Sequence, residues 1–170
     1  MKKTMFVTAV FFVICIKAYS LDVGAYSPVE YADFIKFFKS TKEEAPGMKI
    51  YGNTNLRVRA ILHEFPKEID ETDINNIRST LRSLGFPPDR ASEFGYKVEF
   101  VYPSDVEWQK ETRLVFYIQK VQRVYFEREY KLNDPIYWFI VFSTFNTFTQ
   151  RGYFLVSDFM NEAQFKRLNQ

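Results

Sequence analysis

Apolar residues change their spacing several times along this chain, and each change marks an element. Tyr31, Phe34, Ile35 and Phe38 fall at i, i+3, i+4 and i+7 with Asp33, Lys36 and Lys39 between them, the pattern of a helix that buries one stripe. Ser27-Pro28-Val29-Glu30 supplies a capping hydroxyl, a proline for the first helical position and a carboxylate at the third. The helix is therefore predicted from about Pro28 to Lys42, ended by Pro46-Gly47. From Asn55 to Phe65 the period becomes two. Leu56, Val58, Ala60 and Leu62 point one way and Arg57, Arg59 and His63 the other, as in a strand with one buried face. A second helix is predicted from Asp70 or Thr72, with Ile74, Ile77, Leu81 and Leu84 inward. Gly85 supplies its left-handed stop, Phe86 the accompanying apolar contact, and Pro87-Pro88 forbids continuation.

The second half is dense in Val, Ile, Phe, Tyr and Thr. Strands are predicted over Lys97 to Tyr102, Arg113 to about Tyr130, Ile136 to Phe148 and Gly152 to Phe159, with turns at Pro103-Ser104-Asp105, Asn133-Asp134-Pro135 and Thr149-Gln150-Arg151-Gly152. Connections this short predict an antiparallel meander. Ile136 to Phe148 is apolar on both faces and belongs near the middle of the sheet, covered on each side. Between Lys120 and Lys131, Val121, Val124, Tyr125 and Arg128 also fit a helical face. The β-branched and aromatic residues upstream and the proline turn downstream favour a long bent strand whose charged end, Glu127-Arg128-Glu129-Tyr130-Lys131, discourages edge pairing. A short terminal helix is expected between Asp158 and Leu168.

Helix, strand, helix and then four strands is the order of an α+β domain. Two helices from the N-terminal half would pack on one face of a curved, mainly antiparallel sheet of about five strands. This order resembles the cystatin-like and nuclear-transport-factor-like layouts, the latter often holding a small ligand between helix and sheet. The resemblance is one of element order alone, and layout does not carry function.

One apolar run stands outside this scheme. Lys2 and Lys3 precede an apolar stretch from Met5 to Ile16, and Ala18-Tyr19-Ser20 places small residues where signal peptidase needs them. The run is too short to span a bilayer, which requires about 20 residues. The expectation is a signal peptide over 1–20 cleaved after Ser20, a single domain over 21–170, and a periplasmic or secreted location with no transmembrane segment after cleavage. Phe12-Val13-Ile14 puts bulky residues before Cys15, which disfavours a lipid anchor there.

Export changes the composition that matters. The full chain carries 23 Lys and Arg against 21 Asp and Glu; loss of Lys2, Lys3 and Lys17 leaves 20 against 21, a net charge of −1. A nearly neutral exported domain lacks the positive field a nucleic acid requires. The only cysteine leaves with the leader, so the mature chain has neither a disulfide nor a thiolate nucleophile. Aromatic residues are abundant instead, with 19 Phe, 11 Tyr and 2 Trp, enough for both a core and an interaction surface.

Candidate chemistry is sparse. His63 is the sole histidine, no calcium loop or His-Glu-x-x-His helix is present, and no metal or cofactor is expected. Asp70-Glu71-Thr72-Asp73 reads as a helix cap. Arg57, Arg59 and His63 on one strand face could receive an anion, and Tyr117, Tyr125, Tyr137 and Tyr153 are candidates for exposed contact positions. These features predict a noncatalytic binding or interaction protein of the bacterial envelope, of a size that suits an inhibitor or immunity protein, engaging a protein or a small apolar ligand. The alternative is a small envelope hydrolase or isomerase that uses His63 with a carboxylate such as Glu99, Glu111 or Glu127.

Overall fold

A computed structural model describes residues 21–40, 48–103 and 110–168. The leader with Cys15, the expected helix end near Lys42, Pro46-Gly47 and the Ser104-Asp105 turn lie outside them. The described chain is α+β. Its strands are β1 (Ser27–Val29), β2 (Met48–Ile61), β3 (Lys67–Glu68), β4 (Phe94–Pro103), β5 (Glu111–Gln119), β6 (Pro135–Asn146) and β7 (Arg151–Asn161). Its helices are α1 (Tyr31–Ser40), α2 (Glu71–Ser83), α3 (Arg123–Glu129) and α4 (Glu162–Leu168).

The strands form one mixed sheet in the order β1-β2-β6-β7-β5-β4-β3. Seven strands replace the expected five, and the sheet is not mainly an antiparallel meander. Hairpins β4–β5 and β6–β7 are antiparallel, but β7 inserts beside β5 in parallel, and β1 runs parallel to β2. Ser27–Val29 is thus strand and not helix start: its backbone pairs with Leu56 to Val58, and α1 begins after Glu30, whose carbonyl accepts the Phe34 N–H at 2.9 Å. Short connections predict pairing only between chain neighbours. The segment after β5 turns away into α3, which frees β5 to take β7 instead.

The helices occupy both faces, which corrects the one-face layout. On the α1 face, Phe34 and Phe38 of α1 and Phe126 of α3 pack on Phe100, Phe116, Trp138, Phe142 and Phe154. On the α2 face, Ile77 and Leu81 cover Phe94, Val115, Tyr117, Tyr153 and Leu155. Many rings meet edge-on or tilted, as at Phe38–Phe142 (5.3 Å) and Phe116–Phe154 (5.0 Å), and others stack, as at Phe142–Phe154 (4.8 Å). Such pairs contribute about 0.5–1.5 kcal/mol each beyond area burial. Strand β6 lies third in the order with Trp138 and Ile140 on the α1 face and Phe139 on the other, all fully buried, as its two-sided apolar pattern requires.

Local signals act as the sequence implies at α2. Asp70 and Asp73 form a reciprocal capping box, Asp73 N–H to Asp70 Oδ1 at 2.9 Å and Asp70 N–H to Asp73 Oδ2 at 3.2 Å. At the other end Gly85 takes φ +79°, and the Phe86 N–H returns to the Leu81 carbonyl at 2.8 Å, a Schellman closure. Phe86 itself stays exposed beneath Arg90.

The register of β6 on β7 shifts twice. An extra residue at Ser143 puts Phe145 on the α1 face, not with Tyr137 and Phe139 as simple alternation implies, and an extra residue at Ser157 re-aims the end of β7. Phe145 then lies opposite Gly152, where an added Cβ would meet Leu114 Cδ2 at 2.9 Å and Phe154 Cε2 at 3.0 Å. Gly152→Ala is expected to destabilise the domain by about 1–3 kcal/mol through overpacking. Urea denaturation measures it, and an unchanged midpoint would show that these rings yield at no cost.

Candidate functional site

The parallel pairing of β5 with β7 ends at Tyr117 and Leu155. Beyond it β5 feeds α3, whose Phe126 packs on Trp138 on the α1 face. β7 feeds α4, whose Phe165 stacks on Tyr137 at 4.1 Å on the opposite face. Adjacent parallel strands whose chains leave to opposite faces open a crevice beyond their carboxyl ends, the usual ligand position in open α/β sheets. The crevice here measures about 560 Å³, with Tyr125 and Tyr130 on one wall, Gln164 and Leu168 on the other and Asp158, Phe159 and Met160 below.

Side chains satisfy the edge of β7 that β5 abandons. Gln122 Nε2 donates to the Ser157 carbonyl at 2.9 Å, and the Tyr130 hydroxyl lies 3.3 Å from the Phe159 carbonyl and 3.0 Å from Gln164 Oε1. Gln164 Nε2 donates in turn to Glu129 Oε2 at 2.9 Å, which ties α4 to α3 across the mouth. Asn161 caps α4 by accepting the Gln164 N–H at 2.9 Å.

The two carboxylates of the crevice differ. Glu129 is held by Arg128 at 2.6 Å, and that hydrogen bond draws its pKa below the ordinary range despite some desolvation. Asp158 is half-buried, and burial raises its pKa although Oδ1 accepts the Phe159 N–H at 2.8 Å. No lysine or arginine bridges to Asp158 among the described residues. Beyond Tyr125 and Leu168 of the lining, the exposed apolar surface continues over Val121 and Val124, 72% and 63% exposed.

Of the segment 120–131, read as a bent strand from the sequence, residues 120–129 form a 3-10 turn and α3. Val121, Val124, Tyr125 and Arg128 do share a helical face, but it is the exposed one; the anchors are Phe126 and Tyr130, spaced i and i+4. That second spacing was the available signal. Asp158 had none, since its setting depends on the Ser157 bulge and on contacts with a distant helix.

Other sequence candidates lie elsewhere. Tyr117 is fully buried and Tyr153 nearly so, their rings stacked 6.3 Å apart beneath α2, and the Tyr117 hydroxyl donates to Asp73 at 3.1 Å. Desolvation raises both phenol pKa values. Asp73 also meets Lys97 at 2.9 Å, and the chain continues through Glu99 (3.0 Å) and Arg113 (3.0 Å) to Glu111 (2.7 Å). These tyrosines and carboxylates are thus members of a polar network that anchors α2 to β4 and β5. Tyr137 is half-buried between Phe165 and Arg59, whose guanidinium lies 6.0 Å from its ring and 3.5 Å from Glu162. Arg57 stands 4.8 Å over Phe165. Arg57 is thus engaged by stacking on α4, and Arg59 by an ion pair with α4 and the ring of Tyr137 in β6.

His63 lies past the end of β2, away from the two arginines, in a cleft of about 420 Å³ with Tyr31, Ile35, Glu64, Glu99 and Tyr102. Both Glu99 carboxylate oxygens are taken, one by Lys97 and one by Arg113. Burial opposes the ionised form, but these hydrogen bonds outweigh it and lower the pKa. Glu111 is held by Arg113 and Glu127 by Arg123. The Tyr102 hydroxyl is buried without a partner among the described residues, and desolvation raises its pKa. No group of three His, Cys, Asp or Glu could hold a metal ion among the described residues, and no helix there is long and apolar enough to cross a membrane.

No protein-family model, curated protein or solved structure matches this chain.

Asp158 yields a signed pH prediction. A carboxyl with a raised folded-state pKa contributes stability below its unfolded pKa, near 4, and loses it as pH rises through the folded value. Asp158→Asn should flatten that part of the urea midpoint against pH curve and be at least as stable as wild type at pH 7. A clear loss of stability at pH 7 would show instead that the carboxylate is a satisfied structural acceptor.

Proposed function

We propose that this chain is an exported, noncatalytic binding protein of the bacterial envelope that engages a protein partner through the crevice between α3 and α4. The observation that carries the reading is the exposed apolar rim of Val121, Val124, Tyr125 and Leu168 around a crevice with a desolvated polar floor. A rigid sheet supports one wall, and two short helices cross-tied by Gln164 form the mouth. The engagement of Glu99, Glu111 and Glu127 by basic partners leaves the alternative hydrolase, built on His63, without a free carboxylate from that set. Export itself rests on the leader pattern over residues 1–20. An inhibitor or immunity role suits a surface of this kind on a domain of this size.

Immobilised residues 21–170 should retain an envelope component that Val124→Asp and Tyr125→Ala each weaken at least tenfold, while His63→Ala leaves retention unchanged. Thermal melting would establish that the variants fold. Retention indifferent to both crevice variants, or abolished by His63→Ala, would contradict this reading. Retention of a small apolar compound in place of a protein would move the assignment to a ligand carrier.

A further inference from the structure

On the reading that the α3–α4 crevice is the binding site, we infer that it receives a lysine or arginine side chain of a partner protein, with the cationic end on Asp158 and the aliphatic stem along Phe159, Met160 and Leu168.

The open polar group on the floor of the crevice is an acceptor, the Asp158 carboxylate. Asp158 offers Oδ2 after Oδ1 has taken the Phe159 N–H. The amide of Gln122 is spent on both sides, Nε2 on Ser157 and Oε1 on the Gln119 N–H at 3.2 Å. Gln164 gives its Nε2 to Glu129 and its Oε1 to Tyr130 and the Asn161 N–H. Tyr130 points its hydroxyl at Gln164 and Phe159. Gln122, Gln164 and Tyr130 each already donate within the protein, so a ligand that brings its own donor gains a hydrogen bond at Asp158 Oδ2.

Charge selects further. The titratable groups lining the crevice are Asp158, Glu129, Tyr130, Tyr125 and Arg167. Glu129 is neutralised by Arg128, whose guanidinium also lies 5.2 Å from the Tyr125 ring at the rim. Arg167 turns its Nε back to the Ala163 carbonyl at 3.4 Å. Asp158 is left as a half-buried carboxylate that no Lys or Arg bridges among the described residues, an arrangement that costs stability in the free protein and is relieved by an incoming positive group. Burial keeps that charge from being screened as a surface carboxylate would be.

The source is a protein and not a free amine because the apolar surface outruns the crevice. Val121 and Val124, 72% and 63% exposed, stand outside the crevice lining, where a small amine seated on Asp158 leaves them bare. The residues flanking a basic side chain in a polypeptide would cover them. An apolar rim around one desolvated charge pair is the arrangement found at the centre of specific protein interfaces.

The test is an amide NMR titration of residues 21–170 with three blocked tripeptides, acetyl-Leu-Lys-Leu-amide and its norleucine and glutamate counterparts, alongside n-hexylamine. The lysine peptide should shift the Phe159 and Met160 amides with a half-saturation at least tenfold lower than either counterpart. Asp158→Asn should remove that preference, and Arg167→Ala should leave it intact or strengthen it. Equal shifts with lysine and norleucine would overturn the cation assignment and leave the crevice as an apolar site. Shifts by no probe at any crevice residue would overturn the binding site as well. Saturation by n-hexylamine at or below the peptide's concentration would overturn the protein source in favour of a free amine.

Discussion

Tyr117 and Leu155 are the last residues at which β5 and β7 are partners, and the rest of the molecule is organised around that limit. A parallel pair cannot be joined by a tight turn, so the chain must leave the sheet between the two strands and return. It does so through α3 on one face and the β6 strand. When β7 ends, α4 folds to the other face. The strands separate because their continuations are pulled apart, and the space between them becomes a crevice whose backbone groups need side-chain partners. Gln122 and Tyr130 supply these.

A sheet covered on two faces needs apolar residues on both sides of its central strands, and this chain meets the need with rings. Phe139, Tyr117 and Tyr153 face α2 or α4, while Trp138, Phe116 and Phe154 face α1 and α3. Large side chains bury more area per residue, about 1.5–3 kcal/mol for each fully buried Phe, which suits a described domain without disulfides. Glycine is then required wherever two such rings converge, as at Gly152. On the α2 face, the alternation of Asp73, Lys97, Glu99 and Arg113 lets polar groups pass beneath a helix without an isolated charge. Asp158 is the departure from that rule, half-buried and bridged by no Lys or Arg among the described residues.

Much of the fold was legible in the sequence. The inward residues of α1 and α2, the Asp70 cap, the Gly85 stop and the central two-faced strand all follow from spacing and turn chemistry, which act over a few residues. What could not be read is long-range. The place of β7 beside β5, the separation of helices to two faces and the helical state of Arg123–Glu129 depend on which distant surface each segment covers. Phe126 illustrates the point: strand propensity favoured extension there, and packing against Trp138 and Phe159 overrode it. The site was less legible than the fold. Tyr125 lies in it, but Tyr117 and Tyr153 went to the core, and Asp158 gained its character from a bulge that no local pattern signals.

The parting of two parallel strands is tested most directly by through-space contacts between backbone protons. Nuclear Overhauser effects should connect Phe116 with Phe154 in parallel register and vanish between the strands beyond Tyr117 and Leu155. Contacts of β5 with an antiparallel β6, or an unbroken ladder from β5 to the end of β7, would contradict the account, since either arrangement closes the crevice.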